Sequence, residues 1–333
     1  MRAFRMEAPG VAAVVEVPEV AGTDGEVLLR VKMVGLCGTD LSTFRGRNAM
    51  VKFPRVPGHE VAAEIVEGDG ALAAGTLVTV SPYTSCGQCA SCRRGRVNAC
   101  RWNETMGVQR DGAMMEYVRV PREKLYAARL PVKELCLVEP LTVGFHAASR
   151  GRVAPEDTVA VFGCGGVGLG AIAAAAFRGA ETIAIDIDDG KLEIARKAGA
   201  KHLVHSKRED LHERLQEITD GRGPDVMIEA IGLRETFRAA VDEVAFSGRV
   251  VYIGYAKEPV EYETRLFVQK ELDVLGSRNA LPEDFREVIR MLEAGSFPVE
   301  ETVSAVVPME EAAGLLREWS EAPQRFTKIM VQV

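Results

Sequence analysis

The first part of the chain alternates apolar and polar residues at the two-residue period of β-strands. Stretches of this kind, separated by Gly and Pro, occur up to about residue 85, and another follows a cysteine-rich segment. Such patterning predicts short strands with one buried face, joined by long connections. The predicted strands are 11–17, 26–34, 59–66, 76–80 and 116–120, and they favour a compact, mostly β domain.

The pattern changes at Pro155, where continuous apolar runs begin to alternate with helical patterns. Buried strands alternating with helices are typical of a doubly wound parallel sheet in an α/β protein. The predicted strands of this sheet are 158–162, 182–185, one near Leu203, 225–230, 249–254 and 272–276.

The last part of the chain is predicted to rejoin the first domain. An amphipathic helix at 282–294 and a final strand at 328–333 lie beyond the last unit of the parallel sheet. The mostly β domain should therefore be discontinuous, with residues 1–148 and 277–333, and the parallel-sheet domain should comprise residues 149–276.

Composition narrows the possible partners and compartment. The 333 residues are 47% apolar and 27% charged, with a formal net charge of −7, which argues against nucleic acid as a partner. No run approaches the roughly 20 apolar residues that a membrane helix needs, so no membrane partner is expected. We therefore expect a cytoplasmic protein, in which the seven cysteines are metal ligands or free thiols sooner than disulfides.

A thiol, an imidazole and a carboxylate lie close together in the first domain. Cys37 follows a predicted strand, and His59 and Glu60 follow a turn at Pro57 and Gly58. These are the ligand types that Zn²⁺ prefers, and a catalytic zinc needs three of them and one open position. After Cys37, Thr39 could carry away an alcohol proton, and Asp40 could accept the second ring N–H of His59. Taken alone, a single cysteine at the end of a strand, such as Cys37, is most often a small buried residue.

Four further cysteines form a short cluster in residues 86–100. Their spacing in a lobe rich in Gly and Arg can close a tetrahedral four-sulfur shell, which is the form of a structural zinc site. The alternatives are four free thiols or a thiol redox switch. The cluster consists of Cys86, Cys89, Cys92 and Cys100.

Glu139 stands in an apolar setting, before Pro140, where an unpaired carboxylate is costly to bury. A cation, either zinc or a zinc-bound water, would explain it. Alternatively, Glu139 is a carboxylate at the start of a helix predicted at 142–149. His146 on that helix is more typical of a packed residue than of a ligand.

A glycine-rich motif follows the strand 158–162 and precedes an Ala-rich helix. The order strand, G-x-G-x-x-G, helix predicts a dinucleotide site of Rossmann type, with the pyrophosphate at the helix N-terminus. Asp186 ends the next strand, where a carboxylate binds the ribose and repels a 2′-phosphate, so NAD is favoured over NADP. Lys191 could add a ribose contact, or be an exposed helix lysine. The predicted cofactor residues are Gly163, Gly165, Gly166, Val167, Gly168, Asp186, Lys191, Ala230, Gly232, Ile253 and Gly254.

Together these motifs resemble the zinc-containing medium-chain alcohol dehydrogenases over nearly the whole chain. At Glu139-Pro140 the chain resembles the branch of this family that contains the sorbitol, threonine and sugar-acid dehydrogenases. The resemblance implies a GroES-like catalytic domain in which Cys37 and His59 bind the catalytic zinc, with Glu60 and Glu139 as exchangeable or water-bridged ligands. It also implies two zinc ions per chain and a homodimer or homotetramer.

Several positions bear on the substrate. Ser42 stands where several relatives have a histidine, so a proton relay through imidazole is not expected there, and Phe44 replaces a tyrosine frequent in sorbitol dehydrogenases. Arg278 matches an arginine that lies beside substrate and nicotinamide in polyol dehydrogenases. Residues 45–60 and 270–280 are similar to sugar-acid dehydrogenases of the gulonate and galactonate type.

The expected activity is oxidation of a secondary alcohol of a polyol or sugar acid by NAD. The substrate would be a small molecule, and the basic residues Arg45, Arg47, Lys52 and Arg55 indicate an anionic substrate or an exposed charged loop. Threonine, a diol or a simple alcohol is the nearest alternative substrate. An alternative of another class is a nucleotide-binding module without catalysis, and zinc content distinguishes it from an enzyme.

Overall fold

The computed structural model describes residues 1–22, 25–68 and 72–333. The chain forms two compact units, one of Met1–Glu139, Leu281–Ile289 and Val299–Val333, the other of Pro140–Ala280 and Arg290–Pro298. The predicted boundary at residue 148 falls inside a helix that the division crosses. No helix in these described ranges combines the length and apolar character needed to span a membrane.

Most of the strands lie where the pattern of apolar residues predicts them. They are β1 (Arg2–Ala8), β2 (Val11–Glu16), β3 (Glu26–Leu36), β4 (Glu60–Ile65), β5 (Leu77–Val80), β6 (Tyr117–Pro121), β7 (Leu125–Ala127), β8 (Thr158–Phe162), β9 (Glu181–Asp186), β10 (His202–His205), β11 (Val226–Glu229), β12 (Arg249–Tyr252), β13 (Asp273–Gly276), β14 (Val303–Pro308) and β15 (Lys328–Gln332). The pattern did not predict β1, β7 or β14.

The helices of the described residues range in length from 4 to 19 residues. They are α1 (Gly38–Phe44), α2 (Val132–Arg150), α3 (Gly166–Phe177), α4 (Asp189–Lys197), α5 (Leu211–Ile218), α6 (Arg234–Glu243), α7 (Arg265–Gln269), α8 (Pro282–Glu293), α9 (Val299–Thr302) and α10 (Ala312–Glu321). The helix predicted at 142–149 begins ten residues earlier, at Val132, and contains Pro140. Glu139 therefore lies inside a helix, and its interpretation as a helix-start carboxylate is wrong.

The main sheet of the first unit brings three chain segments to one point. Its order is β14-β15-β3-β4-β5-β7, and β6 also pairs with β3. The antiparallel register places Gly35 of β3 opposite Glu60, the first residue of β4. Ile329 of β15 lies opposite Leu36, the last residue of β3. The end of β3 and the starts of β4 and β15 therefore meet, which gathers residues far apart in sequence.

The second unit contains the predicted parallel sheet. Its order is β10-β9-β8-β11-β12-β13, and every neighbouring pair is parallel. This order reverses between β8 and β11, and in such a sheet ligands bind beyond the carboxyl ends of the strands at the reversal. The glycine motif follows β8 and so lies at that edge.

Candidate metal and dinucleotide sites

The register of β3 and β4 places Cys37 beside His59. Cys37 Sγ lies 3.1 Å from His59 Nε2. Cys37 is also the N-cap of α1, and its sulfur accepts the Thr39 N–H at 3.2 Å. Burial raises the pKa of the Cys37 thiol, and the neighbouring His59 opposes this. Burial alone would lower the pKa of His59, but Cys37 and Asp40 raise it well above its usual value.

Asp40 does not have the predicted partner. Its Oδ2 accepts the backbone N–H of Cys37 at 2.9 Å, which completes a capping box at the start of α1. His59 Nδ1 is buried without a hydrogen-bond partner among the described residues. Asp40 therefore fixes the main chain at Cys37 instead of accepting the proton of His59, because a carboxylate three residues after an N-cap reaches that N–H directly.

Glu60 is paired with a lysine that the sequence patterns do not identify. Lys328 Nζ lies 2.6 and 2.8 Å from the two carboxylate oxygens of Glu60, and the two side chains are 5% and 1% exposed. Burial by itself would lower the pKa of Lys328, but Glu60 raises it above its usual value. Gly35 leaves room for this pair, since a Cβ there would lie 2.0 Å from Glu60 Oε2.

Glu139 is buried on α2 and has a partner that the sequence patterns also do not identify. Tyr83 donates its hydroxyl to Glu139 Oε1. Burial raises the pKa of Glu139, and burial and Glu139 together raise that of Tyr83 well above its usual value. Tyr83 lies just before the cysteine-rich segment, and an aromatic residue after a strand carries no distinctive signal for this contact.

The predicted ligands come together around His59. The ligand atoms of His59, Glu60 and Glu139 all lie within 4.8 Å of one another, and so do those of Cys37, Asp40 and His59. One sulfur, one imidazole nitrogen and carboxylate oxygens match the donor set of a zinc site. The approach of His59 Nε2 to the Cys37 sulfur and the burial of Glu60 and Glu139 also fit a site that holds a cation.

The predicted proton acceptor Thr39 and the nearby Ser42 lie on α1, next to this cluster in sequence. Thr39 and Ser42 are both half-buried, and residues three apart lie on the same side of a helix. Arg278 is exposed in the second unit. Of the basic residues near α1, Arg45 contacts Ser320 and Arg55 pairs with Asp111.

The four cysteines of residues 86–100 form a second cluster. All four sulfurs lie within 4.8 Å of one another, and none forms a disulfide. Backbone N–H groups of Cys89 and Trp102 each donate to a cluster sulfur at 3.3 Å. Such N–H groups stabilise negative sulfur, as a zinc shell requires. The cluster could hold a structural zinc.

The glycine loop has the shape that a dinucleotide site requires. Gly163 has a φ of 92°, and a Cβ on Gly168 would lie 1.7 Å from the Gly163 oxygen, so both positions need glycine. Gly165 is the extended N-cap of α3, with open space around it. The free N–H groups of the first turn are therefore available to a pyrophosphate.

Asp186 ends β9 beside this loop. Its carboxylate accepts N–H groups of Cys164 and Ile187, both at 2.7 Å. Lys191 is half-buried in α4, and its N–H donates to Asp188. The remaining predicted cofactor residues, Ala230, Gly232, Ile253 and Gly254, follow β11 and β12 at the same edge of the sheet.

Comparison with known proteins agrees with this geometry. Residues 23–131 match the alcohol dehydrogenase GroES-like domain, and residues 166–294 match the zinc-binding dehydrogenase family. The L-galactonate-5-dehydrogenase of Escherichia coli K12 is 34% identical over 281 residues, which cover 83% of each chain.

Solved structures are also similar over the whole chain. The protein RspB of Escherichia coli CFT073, solved with NADH, is 28% identical with a TM-score of 0.92, covering 100% of this chain and 99% of that one. A Sinorhizobium meliloti 1021 protein assigned as a zinc-binding dehydrogenase, bound to NADP, is 29% identical with a TM-score of 0.91 and the same coverage. These matches and the two gathered sites lead to one conclusion: the chain belongs to the zinc-containing medium-chain alcohol dehydrogenases.

Proposed function

We propose that this protein oxidises a secondary alcohol of a polyol or sugar acid and transfers the hydride to NAD. The observation that carries the proposal is the cluster of Cys37, His59, Glu60 and Glu139 in a chain that also has a complete Rossmann glycine loop. When bound, zinc in this cluster supplies a Lewis acid that polarises the alcohol oxygen, and NAD supplies the hydride acceptor.

The residues around the cluster hold its charge and geometry. Cys37 is fixed by the capping box of α1, and its sulfur receives an N–H from Thr39. Lys328 offsets the charge of Glu60, and Tyr83 orients Glu139. As the resemblance to this family implies, we assign the thiol and the imidazole as the permanent ligands, and Glu60 and Glu139 as the exchangeable ones.

Proton transfer is assigned to Thr39. Its hydroxyl is half-buried at the start of α1, two residues from Cys37, and no hydrogen bond of that hydroxyl is found among the described residues. Thr39 would accept the alcohol proton and pass it on, with Ser42 one turn later on the same side of the helix. Arg278 is assigned to the substrate, from its match to polyol dehydrogenases.

NAD is proposed over NADP because of Asp186. Its carboxylate lies at the end of β9 beside the glycine loop, where its charge disfavours a 2′-phosphate. The similar Sinorhizobium protein was solved with NADP, and a titration with both cofactors distinguishes the two preferences. Titration of the protein with NADH and NADPH should give tighter binding of NADH, and Asp186→Asn should reduce the difference.

The proposed substrate class is a sugar acid of the galactonate or gulonate type. Arg45 and Arg55 are engaged by Ser320 and Asp111, whereas Arg47 and Lys52 are exposed, and the structure gives their charged groups no ion pair in the described ranges. An aldonate carboxylate could bind such cations. The relative from Escherichia coli K12, an L-galactonate-5-dehydrogenase, agrees with this choice.

A substrate panel tests the proposal. Polyols, aldonates, threonine and simple diols are offered with NAD, and NADH absorbance is followed. We expect aldonates to be oxidised best, and Arg47→Gln combined with Lys52→Gln to raise KM for the aldonate while leaving KM for a neutral polyol unchanged. Best activity on threonine or a diol would reject the substrate class but keep the reaction, and no oxidation of any alcohol by zinc-loaded protein would reject the activity.

We further propose a cytoplasmic homodimer or homotetramer. The free cysteines are consistent with a reducing compartment. In the second unit β13 is the last strand of the parallel sheet, and Val274 on it is 42% exposed. An edge of this kind can pair with a second chain. Light scattering of the purified protein measures the subunit count, and a monomer would contradict this part of the proposal.

A further inference from the structure

Glu229 is a buried acidic residue of the second unit with no role assigned so far. It is the last residue of β11, and its exposure is 0%. A carboxylate removed from water is costly unless its surroundings are arranged to receive it. The groups that contact Glu229 therefore indicate which parts of the unit it stabilises.

One carboxylate oxygen of Glu229 accepts hydrogen bonds from the loop that follows β11. Oε1 accepts the N–H of Ile231 at 2.9 Å, the N–H of Gly232 at 2.8 Å and the hydroxyl of Thr236 at 2.7 Å. Thr236 lies in the first turn of α6, which has no side-chain cap of its own. The carboxylate thus fixes both the loop and the start of the helix that follows it.

The same residue also touches the loop after the neighbouring strand. The Glu229 main-chain oxygen accepts the N–H groups of Ile253 and Gly254 at 2.9 and 3.1 Å. A Cβ on Gly254 would lie 2.4 Å from Glu229 Oε2, so this loop passes directly over the carboxylate. Oε2 itself is buried and has no hydrogen-bond partner in the described part of the chain.

These two loops lie where the second half of a dinucleotide would bind. The sheet consists of two halves, β8 to β10 and β11 to β13, and the order reverses between them. A dinucleotide binds across that reversal, with the adenosine ribose on the half that carries Asp186. The nicotinamide half therefore faces the loops after β11 and β12.

We propose that Glu229 is a positioning residue for the nicotinamide half of the cofactor. It touches no cofactor atom itself. It holds the loops 230–232 and 253–254 in one arrangement before the cofactor binds. Binding of the cofactor therefore loses no free energy to the ordering of these loops. The inference rests on the proposed function, since it requires a nicotinamide dinucleotide as the ligand.

The test compares two ligands on Glu229→Gln. Glutamine keeps the size of the side chain but loses its charge and puts an amide N–H₂ in place of one oxygen. NADH uses both halves of the site, and ADP uses the adenosine and pyrophosphate half alone. We expect the Kd of NADH to rise about tenfold or more, because hydrogen bonds to a charged group are the strong ones. The Kd of ADP should stay unchanged. Calorimetry measures both.

Two further variants and a spectrum complete the test. Glu235→Gln makes the same exchange at an exposed position in the first turn of α6, and it should leave both affinities unchanged. Thr236→Val removes one of three donors to Oε1 and should give a smaller rise for NADH. The fluorescence shift of bound NADH, which reports the surroundings of the nicotinamide ring, should diminish in Glu229→Gln.

The possible outcomes separate the inference from the function on which it rests. Equal losses of affinity for NADH and ADP would show that Glu229 only stabilises the unit. Unchanged affinity for NADH would show that the loops held by Glu229 do not contribute to cofactor binding. Either outcome overturns the inference but leaves the proposed function standing. A Glu229→Gln protein that does not fold is replaced by Thr236→Val, for which the same two outcomes decide. If the wild-type protein binds neither NADH nor NADPH, the proposed cofactor fails and the inference with it.

Discussion

At the scale of single residues, the pair of Lys328 and Glu60 shows how charge is held beside the candidate metal site. Both side chains are almost fully buried, and the ammonium of one lies against the carboxylate of the other. Lys328→Met should lower the free energy of unfolding by about 3–5 kcal/mol, because it leaves the Glu60 carboxylate buried and unpaired. Urea denaturation of the purified variant measures the loss.

A matched control comes from an exposed pair in the same unit. Lys133 and Glu300 lie 2.8 Å apart, and their side chains are 30% and 77% exposed. Lys133→Met should cost no more than about 1 kcal/mol, since exposed ion pairs contribute little. Similar losses for the two variants would mean that burial does not set the strength of the Lys328 pair.

Single cysteines of the four-sulfur cluster should differ sharply in reactivity once zinc is removed. The hydroxyl of Ser91 lowers the pKa of Cys89 to about 5, whereas burial raises that of Cys92 to about 11. Only the thiolate is nucleophilic. At a pH of about 6.5, iodoacetamide should therefore label Cys89 and spare Cys92, and labelling should fall as the pH drops through the pKa of Cys89.

Peptide mass spectrometry of the chelator-treated protein reads out this labelling. Ser91→Ala serves as the control, since losing the hydroxyl should shift labelling of Cys89 to higher pH. If Cys89 and Cys92 reacted at equal rates at all pH values, the difference in their surroundings would be refuted.

The sequence alone identifies those residues whose side-chain chemistry indicates a role. Cys37, His59 and the four-cysteine cluster have side chains that bind zinc, and the structure brings each set together. Lys328 and Tyr83 could not be identified, because a lysine at the start of an apolar strand and a tyrosine before a loop are ordinary. Their roles arise only when β15 lies beside β3 and when Tyr83 reaches α2.

At the scale of elements, the period of the apolar residues predicted most strands but not their neighbours. The strands 26–34 and 59–66 correspond to β3 and β4, yet only the register of that pair shows that Cys37 and His59 share a site. Helix α2 was predicted too short, because Pro140 normally marks a helix start or end and here lies inside. The site thus depends on pairing between distant segments, which local patterns do not encode.

The glycine loop allows a prediction that separates folding from binding. In Gly168→Ala the new Cβ would lie 1.7 Å from the Gly163 oxygen, so the strand and the helix must move apart. We expect a loss of about 1–3 kcal/mol from overpacking, which exceeds the helix propensity gained by alanine, about 1 kcal/mol. Thermal denaturation should show a lower Tm, and NADH titration a weaker complex.

Gly165→Ala is the contrasting variant in the same loop. Gly165 has a φ of −76°, and a Cβ added there would meet nothing within 4 Å, so the stability of the variant should be that of the wild type. NADH should nevertheless bind more weakly, because a methyl group there would meet the pyrophosphate. Equal Tm values for the two alanine variants would contradict the packing argument.

At the scale of the whole molecule, the chain divides its chemistry between its two units. Cys37, His59, Glu60 and Glu139, together with the four-cysteine cluster, belong to the first unit, whereas the glycine loop, Asp186 and Glu229 belong to the second. This division follows from the fold, since the candidate thiol and imidazole ligands lie at strand ends of the mostly β unit and the dinucleotide motif requires a parallel sheet.

The division predicts that metal and cofactor can be removed independently. The wild-type protein should contain two zinc ions per chain, one for each cluster, and Cys37→Ser should contain one, because the four-cysteine cluster remains intact. Cys37→Ser should lose turnover yet bind NADH as the wild type does, since every residue assigned to the dinucleotide lies in the second unit. Metal analysis by mass spectrometry and a fluorescence titration with NADH measure the two properties on one sample.

Cys89→Ser is the reciprocal control, expected to lose the other zinc. Retained turnover in Cys37→Ser would exclude this cluster from the chemistry, and lost NADH binding would show that the two sites depend on each other.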